Sequence, residues 1–258
     1  MEYCWNITPR CNANCRFCHR FLGIEELDDE ADKKVLERMI KQGVDNITFT
    51  GGEPLLRPDL VDLIAIAHKA GVKTKIVTNG LLMSPSRMSR LAPNLDQLTM
   101  SLDSLKAGKN RMIGRGVLQA ECVLDALSEA KKYPKMKVAI NTMLSRKTAM
   151  DIDEIGAMLD KYKRDGGNLV EWRIFQFVPM RERAKRNAEM FVISDEKYNA
   201  KIKDLREKYA DLHIVTRRQH ELESEYTLIL ANGDACKTIN GVDVKIGNLL
   251  DDTRAVER

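Results

Sequence analysis

Three cysteines, Cys11, Cys15 and Cys18, fall within the eight residues CNANCRFC, in C-x3-C-x2-C spacing. Thiolates are soft ligands that select zinc or iron–sulfur clusters. A four-iron cluster usually takes four cysteines, so three leave one iron open, and an open metal position is where cofactor or substrate chemistry happens. A structural zinc wants a closed tetrahedral shell. Here that shell would be completed by His19, which is strained because its neighbour Cys18 already ligates, or by Cys236. The other thiols, Cys4, Cys122 and Cys236, are scattered, so six cysteines in 258 residues do not read as a secreted disulfide scaffold. The histidines at 19, 68, 213 and 220 show no metal spacing.

The elements that must position these thiols alternate. Short β-branched runs at 46–50, 73–77, 97–102, 137–142 and 170–175 read as strands, and a leading strand at 3–7 makes six. Helix-period stretches lie between them at 30–42, 59–70, 118–132 and 152–163. The helix after Pro58 stops at Gly71, the usual placing of proline at a helix start and glycine past its end. Such alternation predicts right-handed βαβ units and a parallel sheet. Six units are fewer than the eight of a closed barrel. The expected fold is therefore α/β, a partial (β/α)6 barrel over residues 1–180 with a C-terminal extension over 181–258 packed on it. Within that extension, 197–209 reads as a helix, 226–230 as a strand and Asn232-Gly233 as a hairpin-type turn.

Composition sets outer limits. Hydrophobic residues are 43% and charged residues 31%, which fits a globular chain with its own core rather than a disordered one. A net charge of +4, from 42 basic and 38 acidic residues, gives no reason to expect a nucleic-acid polymer as partner. No apolar run of about 18 residues exists, and Met1–Trp5 carries neither a basic nor an apolar region. A cytoplasmic location with no membrane association is the expectation.

CNANCRFC resembles the signature of the radical S-adenosylmethionine (SAM) superfamily. Gly51-Gly52-Glu53-Pro54 closes the second expected strand, where that superfamily carries its GGEP motif; Thr78-Asn79-Gly80 closes the third and Ser101–Asp103 the fourth. These are all C-terminal strand ends, the face on which parallel barrels build their sites. The resemblance covers roughly residues 3–178. It implies a [4Fe-4S] cluster on Cys11, Cys15 and Cys18, with SAM on its open iron. It also implies cofactor contacts from Gly51, Gly52, Glu53, Asn79, Ser101, Asp103 and Arg115, and an electron donor such as a ferredoxin or flavodoxin. Glycines at 51 and 52 would let backbone approach the ligand closely.

The segments SLDSLKAGKNRMIGRG (101–116), INTMLSR (140–146), FQFVPM (175–180), FVISDE (191–196) and SEYTLIL (224–230) also resemble the viperin family of antiviral nucleotide dehydratases. That resemblance implies abstraction of the ribose 4′ hydrogen of a nucleotide and loss of its 3′ hydroxyl, giving a 3′-deoxy-3′,4′-didehydro nucleotide. Tyr226 matches a proposed proton donor, and hydroxide leaves poorly without one. Asn141 matches a substrate-side asparagine. The alternative is a radical SAM enzyme acting on a peptide or another small metabolite. Where the family grips a triphosphate with basic residues, this chain has Asn46, Ala139 and Glu171, and only Arg173 keeps its charge. Triphosphate sites normally answer with lysine or arginine clamps. The partner is therefore a nucleotide or a related phosphorylated small molecule. Other basic residues, Arg146, Lys147 or the RERAKR run at 181–186, could stand in, although that run also reads as a solvated charged loop. Glu171 would bind a donor on the substrate or point outward.

Overall fold

The computed structural model describes residues 1–218, 226–239 and 242–251. The strands are β1 (Glu2–Asn6), β2 (Asn46–Thr50), β3 (Lys73–Thr78), β4 (Gln97–Ser101), β5 (Lys137–Leu144), β6 (Leu169–Gln176), β7 (Ile214–Arg217), β8 (Thr227–Ile229), β9 (Asp234–Ile239) and β10 (Val242–Asn248). The helices are α1 (Asp29–Lys41), α2 (Leu60–Lys69), α3 (Pro85–Leu91), α4 (Ala107–Ile113), α5 (Gln119–Ala130), α6 (Ile152–Arg164), α7 (Arg181–Arg186), α8 (Ala188–Phe191) and α9 (Asp195–Lys208).

Local chemistry explains the helix ends. Asp28 caps α1 by accepting from the Ala31 N–H at 2.8 Å, with acids in the first turn and Arg38 and Lys41 in the last. Ser84 caps α3 in the same way, with Pro85 at its first position. Each helix buries one stripe: Val35, Leu36 and Met39 on α1, and Leu63, Ile64 and Ala67 on α2.

The sheet order is β10-β9-β8-β1-β2-β3-β4-β5-β6-β7, parallel from β8 to β7 and antiparallel through β8-β9-β10. Its outer strands β10 and β7 do not pair with each other among the described residues, so the barrel is open. Strand alternation sends Tyr3, Trp5, Phe49, Ile140, Trp172 and Ile174 into the core, all fully buried. The other face lines the barrel interior, where Ser101, Asn141 and Arg173 stand in one cross-strand row. The six expected strands are present. The segment expected as an extension adds strands to both edges of the same sheet, with β7 beside β6 and β8 beside β1. RERAKR forms α7 with Ala184 fully buried, rather than a loop.

Candidate active site

The loop after β1 carries the three thiols, and it is fastened from two sides. The Gly52 N–H donates to the Thr8 carbonyl at 2.7 Å, and the Glu53 N–H to the Arg10 carbonyl at 2.8 Å. Farther along, the Asn14 and Arg16 N–H groups donate at 3.0 Å to the carbonyls of Gly114 and Ile113, at the end of α4. A Cβ on Gly52 would overlap the Arg10 carbonyl, and one on Gly114 (φ +88°) the Asn14 carbonyl. Both glycines are therefore required by backbone-to-backbone contact. For Gly52 that contact is with the start of the cysteine loop rather than with a ligand, while Gly51 lines the cavity described below.

Glu53 is fully buried, and its carboxylate accepts from the Leu55 N–H at 3.0 Å, the Thr78 hydroxyl at 2.7 Å and the Asn79 N–H at 2.7 Å. Burial pushes its pKa up against those three bonds. Glu53 thus ties the end of β2 to the end of β3. Asn79 then turns toward the thiols: its amide donates to Asn12 Oδ1 at 2.7 Å and lies 3.9 Å from Cys11 Sγ. The buried Gln119 amide joins the next two strand ends by donating to the carbonyls of Asn79 at 2.8 Å and Ser101 at 2.5 Å.

Arg115 Nε lies 2.5 Å from Asp103 Oδ2, and Asp103 Oδ1 accepts from the Met143 N–H at 2.7 Å. The Arg115 guanidinium stands 5.2 Å from the Phe17 ring centroid, and its positive charge reaches Cys15 and Cys18. Burial pushes the Cys15 thiol up to about 11, with Arg115 opposing, and Cys11 also moves up through burial. The Ala13 N–H donates to Cys11 Sγ and the Arg20 N–H to Cys18 Sγ, each at 3.4 Å.

These parts surround a cavity of about 340 Å³, within the size range of small-molecule sites. Its walls include Cys15, Cys18, Arg20, Gly51, Ser101 and Arg115, together with Cys4, Arg181, Tyr226 and Leu228. Asn141 and Arg173 lie beside Ser101 in register, on the next two strands. Asn141 Oδ1 is buried with no hydrogen-bond partner. Arg173 is ion-paired to Glu171, which also lies 3.5 Å from Gln97 Nε2, so Glu171 faces the interior and not outward. Asn46 is not gathered with the rest. It begins β2, four residues and about 13 Å from Thr50 at the site end.

A model of the radical SAM superfamily matches residues 5–159, more than half of the sequence. The chain belongs to the radical SAM superfamily. A protein of Flammeovirga pacifica named S-adenosylmethionine-dependent nucleotide dehydratase is 24% identical over 247 residues, which are 90% of this chain and 80% of that one. A GTP 3′,8-cyclase of Lactiplantibacillus plantarum is 31% identical over 183 residues, 68% of this chain and 53% of that one. Among solved structures, Streptococcus suis SuiB bound to S-adenosylmethionine superposes with a TM-score of 0.75 at 18% identity, covering 98% of this chain and 64% of that one. That likeness establishes the open α/β barrel.

As a radical SAM enzyme the chain uses a [4Fe-4S] cluster and SAM, and the thiol loop fits them. Cys11, Cys15 and Cys18 lie within electrostatic reach of one another, and the Ala13 and Arg20 N–H groups donate to two of their sulfurs. Among the described residues no three His, Cys, Asp or Glu side chains close on a single metal-ion position. Neither zinc completion is in place. His19 Nε2 is 2.8 Å from the Val178 carbonyl, and burial pushes its pKa down to about 4, so the neutral ring donates there. Cys236 is buried with Leu228 and Leu230. Cys4 lines the cavity, yet the charges that reach it are Glu2 and Arg181, not the loop thiols; burial pushes it up to about 12. Sequence reasoning missed Gln119, a polar residue on an otherwise apolar helix stripe, and offered Arg181 only as the first residue of the RERAKR run. Arg181 (φ +56°) stacks 3.9 Å from the Phe21 ring, donates to the His19 carbonyl and pairs with Asp243 at 2.8 Å. No helix among the described residues is long and apolar enough to cross a membrane.

Proposed function

We propose that this radical SAM enzyme dehydrates a nucleotide, removing the ribose 4′ hydrogen and the 3′ hydroxyl to leave a 3′-deoxy-3′,4′-didehydro product. The observation that carries the reading is that Tyr226, from the β8 side, lines the same cavity as Cys15, Cys18 and Gly51. This puts a phenol, a proton donor, in the chamber of the cluster thiols. The dehydratase relative supports it, because its alignment takes in 90% of the chain, whereas the cyclase alignment takes in 68%.

When bound, the cluster and SAM would supply one-electron hydrogen-abstraction chemistry. The residues of the chain do the rest. Cys11, Cys15 and Cys18 would hold the cluster, and Gly51, Asn79, Ser101 and Arg115 would surround SAM, with Asp103 fixing the Arg115 guanidinium and Glu53 fixing the Asn79 backbone. Asn141 Oδ1 accepts a ribose hydroxyl, which satisfies its buried lone pairs. Tyr226, directly or through a water, protonates the departing 3′ oxygen. Loss of the hydrogen atom, uptake of one proton and one electron, and release of water balance the reaction; a reduced ferredoxin or flavodoxin supplies the electron. Incubating reconstituted enzyme with SAM, reductant and a panel of nucleotides should give 5′-deoxyadenosine and a product 18 mass units lighter. Product from a peptide and from no nucleotide would overturn the reading.

A further inference from the structure

Three arginines line the cavity: Arg20, Arg115 and Arg181. Arg115 lies 2.5 Å from Asp103, and Arg181 lies 2.8 Å from Asp243. Deeper in the barrel, Lys75 pairs with Glu2 at 3.3 Å and Arg173 with Glu171. Arg20 differs from all of these. Among the described residues its side chain makes no ion pair and no hydrogen bond, and its Nε is buried without an acceptor. No described Asp or Glu lines the cavity to serve it. A buried guanidinium nitrogen without an acceptor is costly, and a ligand oxygen removes that cost.

We infer that Arg20 is the substrate's phosphoryl clamp, and that the site is built for a singly phosphorylated nucleotide rather than a triphosphate. A triphosphate brings about four negative charges, and sites that hold one gather several free cations. Here the cavity offers one arginine whose charge no carboxylate offsets. Arg20 follows Cys18 by two residues, and its charge reaches Cys11, so the phosphoryl group sits on the cluster side of the cavity. The ribose of a 5′-monophosphate is one ester bond from that group, which brings its C4′ near the thiol loop. The inference rests on the nucleotide reading above and names which nucleotides the site takes.

The test uses the reconstituted chain with Arg20→Gln and Arg20→Lys variants, checked for unchanged iron content. Isothermal titration measures SAM, free nucleosides, and the corresponding 5′-mono- and 5′-triphosphates. The wild type should bind a monophosphate at least as tightly as its triphosphate. Arg20→Gln should weaken the monophosphate about 10- to 100-fold, the range of a charge-assisted hydrogen bond. SAM and the free nucleoside should be unaffected, and Arg20→Lys should recover part of the loss. Equal weakening of SAM would assign Arg20 to the cofactor carboxylate and overturn the inference. A shifted cluster potential with unchanged phosphate binding would make Arg20 a counter-charge to the cluster and overturn it too, as would tighter binding of the triphosphate by the wild type. Binding of monophosphates through Arg20 without any product lighter by 18 mass units fails the dehydratase reading alone.

Discussion

Glu53→Gln separates two roles for the GGEP carboxylate. One oxygen accepts from Leu55 and Thr78 and the other from Asn79, all inside a fully buried site. Glutamine keeps one acceptor and replaces the other by an NH2 group. The best amide orientation holds the Leu55 and Thr78 bonds and sets a donor against the Asn79 N–H. A lost charge-assisted bond is worth about 1.5–3 kcal/mol, and the unpaired N–H adds to that. Relief from burying a charge, the cause of the raised Glu53 pKa, offsets part of it. The expected net cost is about 2 kcal/mol, or about 4–8 °C in Tm for a domain of this size. Glu53→Ala leaves three donors unserved and should cost about 3–5 kcal/mol. Urea and thermal unfolding of the metal-free protein measure both. SAM affinity should fall only as far as the Asn79 segment shifts. Unchanged stability with SAM binding abolished would instead make the carboxylate a direct cofactor ligand.

Gly52→Ala should displace the start of the cysteine loop, because its Cβ meets the Arg10 backbone carbonyl, which has no rotamer to escape to. Iron bound after reconstitution should fall well below the wild-type amount. Gly108→Ala is the control, since nothing lies within 4 Å of its Cβ and iron content should not change. Asp32 is buried beside Arg57 Nη2 at 2.5 Å, in a group that also holds Glu26 and Asp59; burial pushes its pKa up to about 7 from 3.8. A carboxyl whose folded pKa lies above its unfolded value favours folding when protonated. Stability from this group should therefore decline as pH rises from about 4 through 7, by at most about 4 kcal/mol. Asp32→Asn should flatten that decline in denaturation curves measured at pH 4 to 8; an unaltered slope would show that other groups cause it.

Much of the fold was legible because β2–β6 carry β-branched residues in short runs bounded by glycine or proline, and the thiol spacing lies in one uninterrupted stretch. β7 escaped notice because four residues, Ile214–Arg217, at the end of a charged segment give too short a pattern. The pleat puts residues 171 and 173 on one face, so Glu171 faces inward with Arg173 and neutralises it. The same register places Asn46 at the far end of its strand. Arg20 could not be singled out in advance, since having no acid partner is a property of three-dimensional surroundings. His220 and residues 224–225 of the SEYTLIL segment lie outside the described residues.

Radical chemistry at the three-thiol loop is proposed to act on a nucleotide ribose. A nucleoside 5′-monophosphate carrying deuterium at C4′ tests it most directly. The expected result is 5′-deoxyadenosine that has gained deuterium, together with a nucleotide product that has lost water. Cleavage of SAM to unlabelled 5′-deoxyadenosine, with every nucleotide in the panel returned intact, would contradict it.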